Sequence, residues 1–170
     1  MQGKDLDRAN WRCHRAAMVR RYQEGDHLFL GQIYHDAVHQ LAAKDYTPAQ
    51  LEAWASKPIG FEHWAKRAAI KQPFVKELDG RVVGFIELDP DGHVDCTYVD
   101  PAYARRGVMS ELMSAVKAEA RRQGAPKLFA EVSITARPFF EHHGFVHVRD
   151  NLVPIRSETL VNFIMECPLS

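Results

Sequence analysis

Residues 98–113, YVDPAYARRGVMSELM, hold the pattern in this chain best suited to chemistry. At its centre, ARRGVM places Gly107 and two cations, Arg105 and Arg106, between a strand-like run and a helix-like one. A helix start leaves unpaired backbone N–H groups and the positive end of a dipole, and a glycine there lets a ligand approach the backbone closely. An anion suits that position, although a basic strand–helix connection with no ligand has the same spacing. The segment matches neither G-x-x-x-x-G-K-[ST] nor G-x-G-x-x-G, so P-loop and dinucleotide loops fall on pattern.

A second set of reactive side chains lies just upstream. Strand alternation over 93–99, HVDCTYV, puts His93, Asp95, Thr97 and Val99 on one face and Val94, Cys96 and Tyr98 on the other. His93 has an ordinary pKa nearest neutrality, though it also reads as a solvated residue after the Asp91-Gly92 turn. His35 and His39 stand four apart, as in half a zinc site. Asp36 replaces the glutamate of H-E-x-x-H and no third ligand is evident, so no metal is expected. The three cysteines, Cys13, Cys96 and Cys167, lack metal spacing and read as reduced thiols of a cytoplasmic protein. Cys96 reads as a core thiol rather than a nucleophile, and His142-His143 as an exposed pair at a helix end.

These residues need a scaffold, and the periodicities supply one. MVRRY (18–22) reads as a strand, and Asp26 as the N-cap of a helix whose Leu30, Ile33, Ala37 and Leu41 share a face. Thr47, Pro48 and Gln50 form a capping box for a second helix, and 61–70 a short third. Residues 74–78 and 81–88 flank an Asp79-Gly80 hairpin signal, and 93–99 is a further strand. A helix over 108–123 stops at Gly124. Strand 127–132 follows, then a helix capped by Thr135 and ended by Gly144, then two closing strands. That order predicts an α/β (α+β mixed) fold.

A chain of 170 residues suits one domain, expected over 18–170, with residues 1–17 as a loosely ordered extension. Lys+Arg and Asp+Glu are equal at 22, which removes the simplest argument for a nucleic-acid partner. No apolar run approaches the roughly 20 residues of a membrane span.

With the elements in place, YVDPAYARRGVMSELM resembles motif A of the GNAT superfamily of acetyl-CoA-dependent N-acyltransferases, and EVSITARPFFEHHGF resembles its motif B. The wording DYTPAQLEAWA and SITARPFFEHHGF is similar to a YafP-like bacterial branch. The resemblance covers about 18–167 and implies a mostly antiparallel sheet of about seven strands, flanked by helices and splayed between the fourth and fifth. It implies acetyl-CoA as donor, with the CoA pyrophosphate over the N–H groups of Arg105, Arg106, Gly107, Val108, Met109 and Ser110. Pantetheine would lie along Thr97, Tyr98 and Val99, contacted by Ser133 and edged by Phe139 and Phe140.

Three departures stand out: Ala104 for Gln or Arg, Met109 for a second glycine or alanine, and Phe140 for the tyrosine that protonates the departing thiolate. In direct attack by an amine, His93 is then the first candidate base, with Asp95 orienting it or acting through water and Glu87 third. Tyr98 is the candidate acid, although its parity opposes that of His93. His39, Asp45, Tyr46 and Trp54 are the candidate acceptor residues. The expected acceptor is a small-molecule amine. A protein or peptide amine, aminoacyl-tRNA, or a non-catalytic acyl-CoA sensor are the alternatives, and the family habit admits a homodimer.

Overall fold

A computed structural model describes residues 17–169, so the predicted extension, with Trp11 and Cys13, falls outside the described residues apart from Ala17. Seven strands are present: β1 (Met18–Arg21), β2 (Phe74–Leu78), β3 (Arg81–Leu88), β4 (Val94–Val99), β5 (Lys127–Ser133), β6 (Val146–Ile155) and β7 (Glu158–Pro168). They form two antiparallel sheets, ordered β1-β2-β3-β4 and β5-β7-β6. The α-helices are α1 (His27–Asp36), α2 (Pro48–Trp54), α3 (Phe61–Lys71), α4 (Val108–Arg122) and α5 (Arg137–His142).

The central strand β3 is apolar almost throughout because helices cover both of its faces. Leu112, Met113 and Val116 of α4 pack with Ile86 and Leu88 on one side. On the other side, Leu30 and Ile33 of α1 and Trp64 and Ala68 of α3 pack with Phe85. Asp79 and Gly80 both take positive φ, 50° and 81°, as the hairpin signal requires. The capping box closes as predicted: Thr47 Oγ1 accepts from Gln50 N at 3.2 Å and Gln50 Oε1 accepts from Thr47 N at 2.9 Å.

Three local expectations change. Asp26 occupies the cap position, but its carboxylate turns to Arg20, at 2.7 and 3.0 Å, and Gln23 N, at 2.8 Å, and makes no cap bond to the helix. The first helix stops at Asp36, giving way to a π-turn over Ala37–Leu41 and a 3₁₀ turn over Ala42–Lys44. Thr135 does not cap α5. Ser133 Oγ accepts from Ala136 N at 3.1 Å instead, while Thr135 Oγ1 donates to Asp45 at 2.7 Å.

Two features of β4 govern the site. Ile86 pairs with Thr97 but Leu88 with Val94, so Glu87 alone faces both Asp95 and Cys96: a β-bulge on β4. The extra residue breaks the predicted alternation. Val94, Thr97 and Val99 turn to the α4 side, whereas Asp95, Cys96 and Tyr98 turn to the α1–α3 side. The second feature is separation. β4 lies parallel to β5 and meets it in one bridge, His93 to Phe129, beyond which the strands part. The splay leaves one backbone edge of residues 95–99 without a strand partner among the described residues.

Candidate active site

A cavity of about 570 Å³ opens where β4 and β5 diverge. Of the residues expected around a cofactor, Thr97, Tyr98 and Val99 line it from β4, and Arg105, Gly107, Val108, Met109 and Ser110 from the loop and first turn of α4. Ser133 and Phe139 close the far side. Gln40 and Lys44, from the irregular end of the first helical segment, also reach it, as do Tyr103 and Thr135. Nothing in the sequence pattern marked Gln40 and Lys44, because their placement depends on how the π-turn docks.

The loop turns a run of unpaired amides outward at the start of α4. Arg105 and Gly107 both take left-handed φ, 63° and 81°, and turn the chain into α4. The first helical bond from this end is Glu111 N to Gly107 O at 3.1 Å, and the amides of residues 105–110 meet no protein acceptor among the described residues. Ser110 Oγ lies 3.1 Å from His143 Nε2, and burial holds that imidazole below its ordinary pKa, with Lys117 and His142 adding to the effect. Thr97 Oγ1 is a buried hydroxyl with no partner. An orphaned hydroxyl beside an unpaired strand edge fits a bound chain with amide groups.

A second cavity, of about 590 Å³, lies across β4 between α1, α3, the 55–60 loop and the β6–β7 turn. Tyr98 and Trp54 line both cavities. Tyr98 packs edge-on against Tyr34, with centroids 5.0 Å apart, and burial drives its phenol well above the ordinary pKa, so it stays protonated. Asp95 faces the second cavity and is held by Arg67 at 2.6 Å and Lys71 at 3.2 Å. Burial would raise its pKa, but the two cations outweigh burial and keep it below the ordinary value.

The acetyltransferase (GNAT) domain family matches residues 42–158, more than half of the chain. The chain belongs to the GNAT acetyltransferase family. It is 37% identical over 148 residues to YafP, an uncharacterised N-acetyltransferase of Escherichia coli K12, covering 86% of this chain and 93% of that one. A GCN5-related N-acetyltransferase from Rhodopseudomonas palustris superposes with a TM-score of 0.84 at 34% identity, over 91% of this chain and 96% of that one. PaiA N-acetyltransferase from Thermoplasma acidophilum, crystallised in complex with coenzyme A, shares the fold at 18% identity with a TM-score of 0.74, over 90% and 99% of the two chains. The protein is thus an acetyl-CoA-dependent N-acetyltransferase with the mixed α/β GNAT fold.

Against that chemistry, several expected GNAT site residues stand elsewhere. His93 lines neither cavity: its Nε2 lies 2.6 Å from Glu131, its Nδ1 3.3 Å from Asp89, and its ring stacks on Phe129. It fastens the junction of β4 and β5 instead of facing a substrate, because the bulge separates it from Thr97. Glu87 is fully buried, with both carboxylate oxygens on Arg67 at 2.9 and 2.6 Å, which leaves it no path to a substrate proton. Arg106 points over Tyr103, its guanidinium 5.6 Å from the ring, outside the cavity lining. Phe140 is buried against Phe145 in the core, and its neighbour Phe139 takes the cavity wall.

Of the acceptor candidates, only Trp54 reaches a cavity. His39 Nε2 meets Ala55 O at 2.7 Å and its ring stacks on His35 at 4.4 Å, an arrangement of face-to-face packing rather than shared metal ligation. Asp45 accepts from Thr135, and the Tyr46 hydroxyl donates to Val161 O at 2.7 Å while accepting from Ile134 N at 3.0 Å. These two residues pin the helical segment to the second sheet. Arg67 and Arg156 are second-cavity residues that the sequence did not single out.

Proposed function

We propose that the first cavity seats acetyl-CoA, with its pyrophosphate on the amides of residues 105–110 and its pantetheine along Thr97–Val99, and that a small-molecule amine enters by the second. The observation that carries this reading is the shared wall: Tyr98 and Trp54 border both cavities, so donor and acceptor meet at β4 from opposite faces. A second cavity of about 590 Å³ suits a small molecule.

Acetyl-CoA supplies an acetyl group activated as a thioester. The chain's own residues orient it and manage protons. Thr97 borders the first cavity, and its buried Oγ1 makes no hydrogen bond among the described residues. Tyr98 holds its proton on Oη and can pass it to the departing sulfur as the acceptor nitrogen bonds to the acetyl carbon and the C–S bond breaks. With no tyrosine at position 140, the acid is assigned to Tyr98, which borders both cavities. The proton lost by the amine leaves through the second cavity, whose Asp95 stays ionised, and Tyr98 takes up one proton in turn, which restores the acid.

The test is acetyl-CoA-dependent thiol release screened against small amines, amino acids, peptides and aminoacyl-tRNA. Release with small amines or amino acids is the expected result. Release with peptides or aminoacyl-tRNA alone would overturn the small-molecule acceptor, and failure of CoA to stabilise the protein would overturn the cofactor seat.

A further inference from the structure

We infer that the acceptor carries an anionic group besides its amine, a carboxylate in the simplest case, with the amine at Asp95 and the anion at Arg156. This rests on the second cavity being the acceptor's entry.

The charges around that cavity balance in number but not in place. Arg67 gives Nε and Nη2 to Glu87, both of whose oxygens it holds, and Nη2 to Asp95 Oδ2, so its charge is already matched. Lys71 is shared between Asp89, at 2.7 Å, and the same Asp95 Oδ2, at 3.2 Å. Asp95 Oδ1 accepts no hydrogen bond among the described residues, so one carboxylate oxygen on β4 remains for a ligand's N–H groups. Asp95 lies three residues from Tyr98, on the face that the bulge gives them in common.

Arg156 is the opposite pole. It sits in the turn between β6 and β7 at a φ of 53°, and its Nη2 donates to Ser56 Oγ at 2.8 Å. Ser56 belongs to the loop facing that turn, and both residues line the cavity, so the guanidinium is tethered at its edge. No carboxylate pairs with it among the described residues, and Nε and Nη1 make no hydrogen bond there. Tyr34, Trp54, Trp64 and Ile59 add apolar lining to the same cavity. Such walls lower the local dielectric and strengthen charge pairing inside the cavity. A molecule with an ammonium and a carboxylate matches both poles, and an amine without the anion matches only one.

The test pairs amino acids with their decarboxylated amines, phenylalanine with phenethylamine and leucine with isoamylamine, in the thiol-release assay with the full chain. The carboxylate-bearing member should be favoured in kcat/KM by about tenfold or more, as for a charge-assisted contact. Arg156→Gln should bring that ratio close to one, chiefly by raising KM for the amino acid, and Arg156→Lys should restore part of it. An unchanged ratio in Arg156→Gln, an equal or better rate with the decarboxylated amines, or no release with any amino acid would each overturn the inference. Acetylation of the plain amines alone would leave the transfer reading standing, whereas loss of CoA binding would sink that reading first.

Discussion

Thr97 and Tyr98 are neighbours in sequence, yet they leave β4 on opposite faces: Thr97 pairs with Ile86 on the α4 side, and Tyr98 packs against Tyr34 on the α1–α3 side. One strand therefore borders the proposed donor cavity through Thr97, whose buried hydroxyl makes no hydrogen bond among the described residues, and, one residue on, both cavities through Tyr98. That pairing separates binding from proton transfer, and the two can be tested apart.

Tyr98→Phe removes a proton donor and little volume. It should lower kcat by about a hundredfold, within the range for loss of a positioned acid. CoA affinity, read by calorimetry, should stay unchanged. Parental turnover in the variant would remove Tyr98 from the mechanism.

Thr97→Val keeps the shape and deletes a buried hydroxyl that has no partner. The ligand-free protein should gain about 1 kcal/mol, a Tm rise of about 2–4 °C. CoA binding should weaken at the same time. Opposite signs in the two measurements are the signature of a hydroxyl reserved for a ligand, and a loss of stability would contradict it.

His93 should make stability fall as pH rises. Burial lowers its pKa, but Glu131, Asp89 and Asp95 outweigh burial, and the folded value lies above the ordinary 6.5. A raised folded pKa means the contribution is fully present below the unfolded value, near 6.5, and is lost as pH climbs through the folded one. Melting temperatures at pH 5.5 and 8.5 should differ more in the parent than in His93→Gln. Equal differences would show that the link between β4 and β5 does not depend on the charge.

Gly92 and Gly107 both take positive φ, 91° and 81°, and should respond unequally to alanine. A Cβ at Gly92 would lie 2.3 Å from the Lys127 carbonyl oxygen, at the start of β5, whereas one at Gly107 meets nothing within 4 Å. Gly107→Ala should cost about 1 kcal/mol of backbone strain alone. Gly92→Ala should cost about 3 kcal/mol or more, because backbone must move at the junction of the two sheets. Urea unfolding of the two variants gives the comparison directly.

The sequence by itself determined what depends on near neighbours. The capping box at Thr47, the Asp79-Gly80 hairpin, the 3.6-residue face of α4 and the open amides before it all arise from interactions within a few residues. Periodicity and turn chemistry record those interactions. The resemblance of residues 98–113 and of the SITARPFF segment to two GNAT motifs added the family and its cofactor.

The tertiary structure alone decided which side chains reach the two cavities. One extra residue at Asp95 and Cys96, set by pairing with β3, reverses the alternation. It sends Asp95 to Arg67 and leaves His93 at the β4–β5 junction. Arg156 meets Ser56 across 100 residues, and Tyr46 meets Val161 across 115. A strand's period of two holds only while its ladder is regular, and contacts between distant segments depend on register and docking, which no local pattern carries.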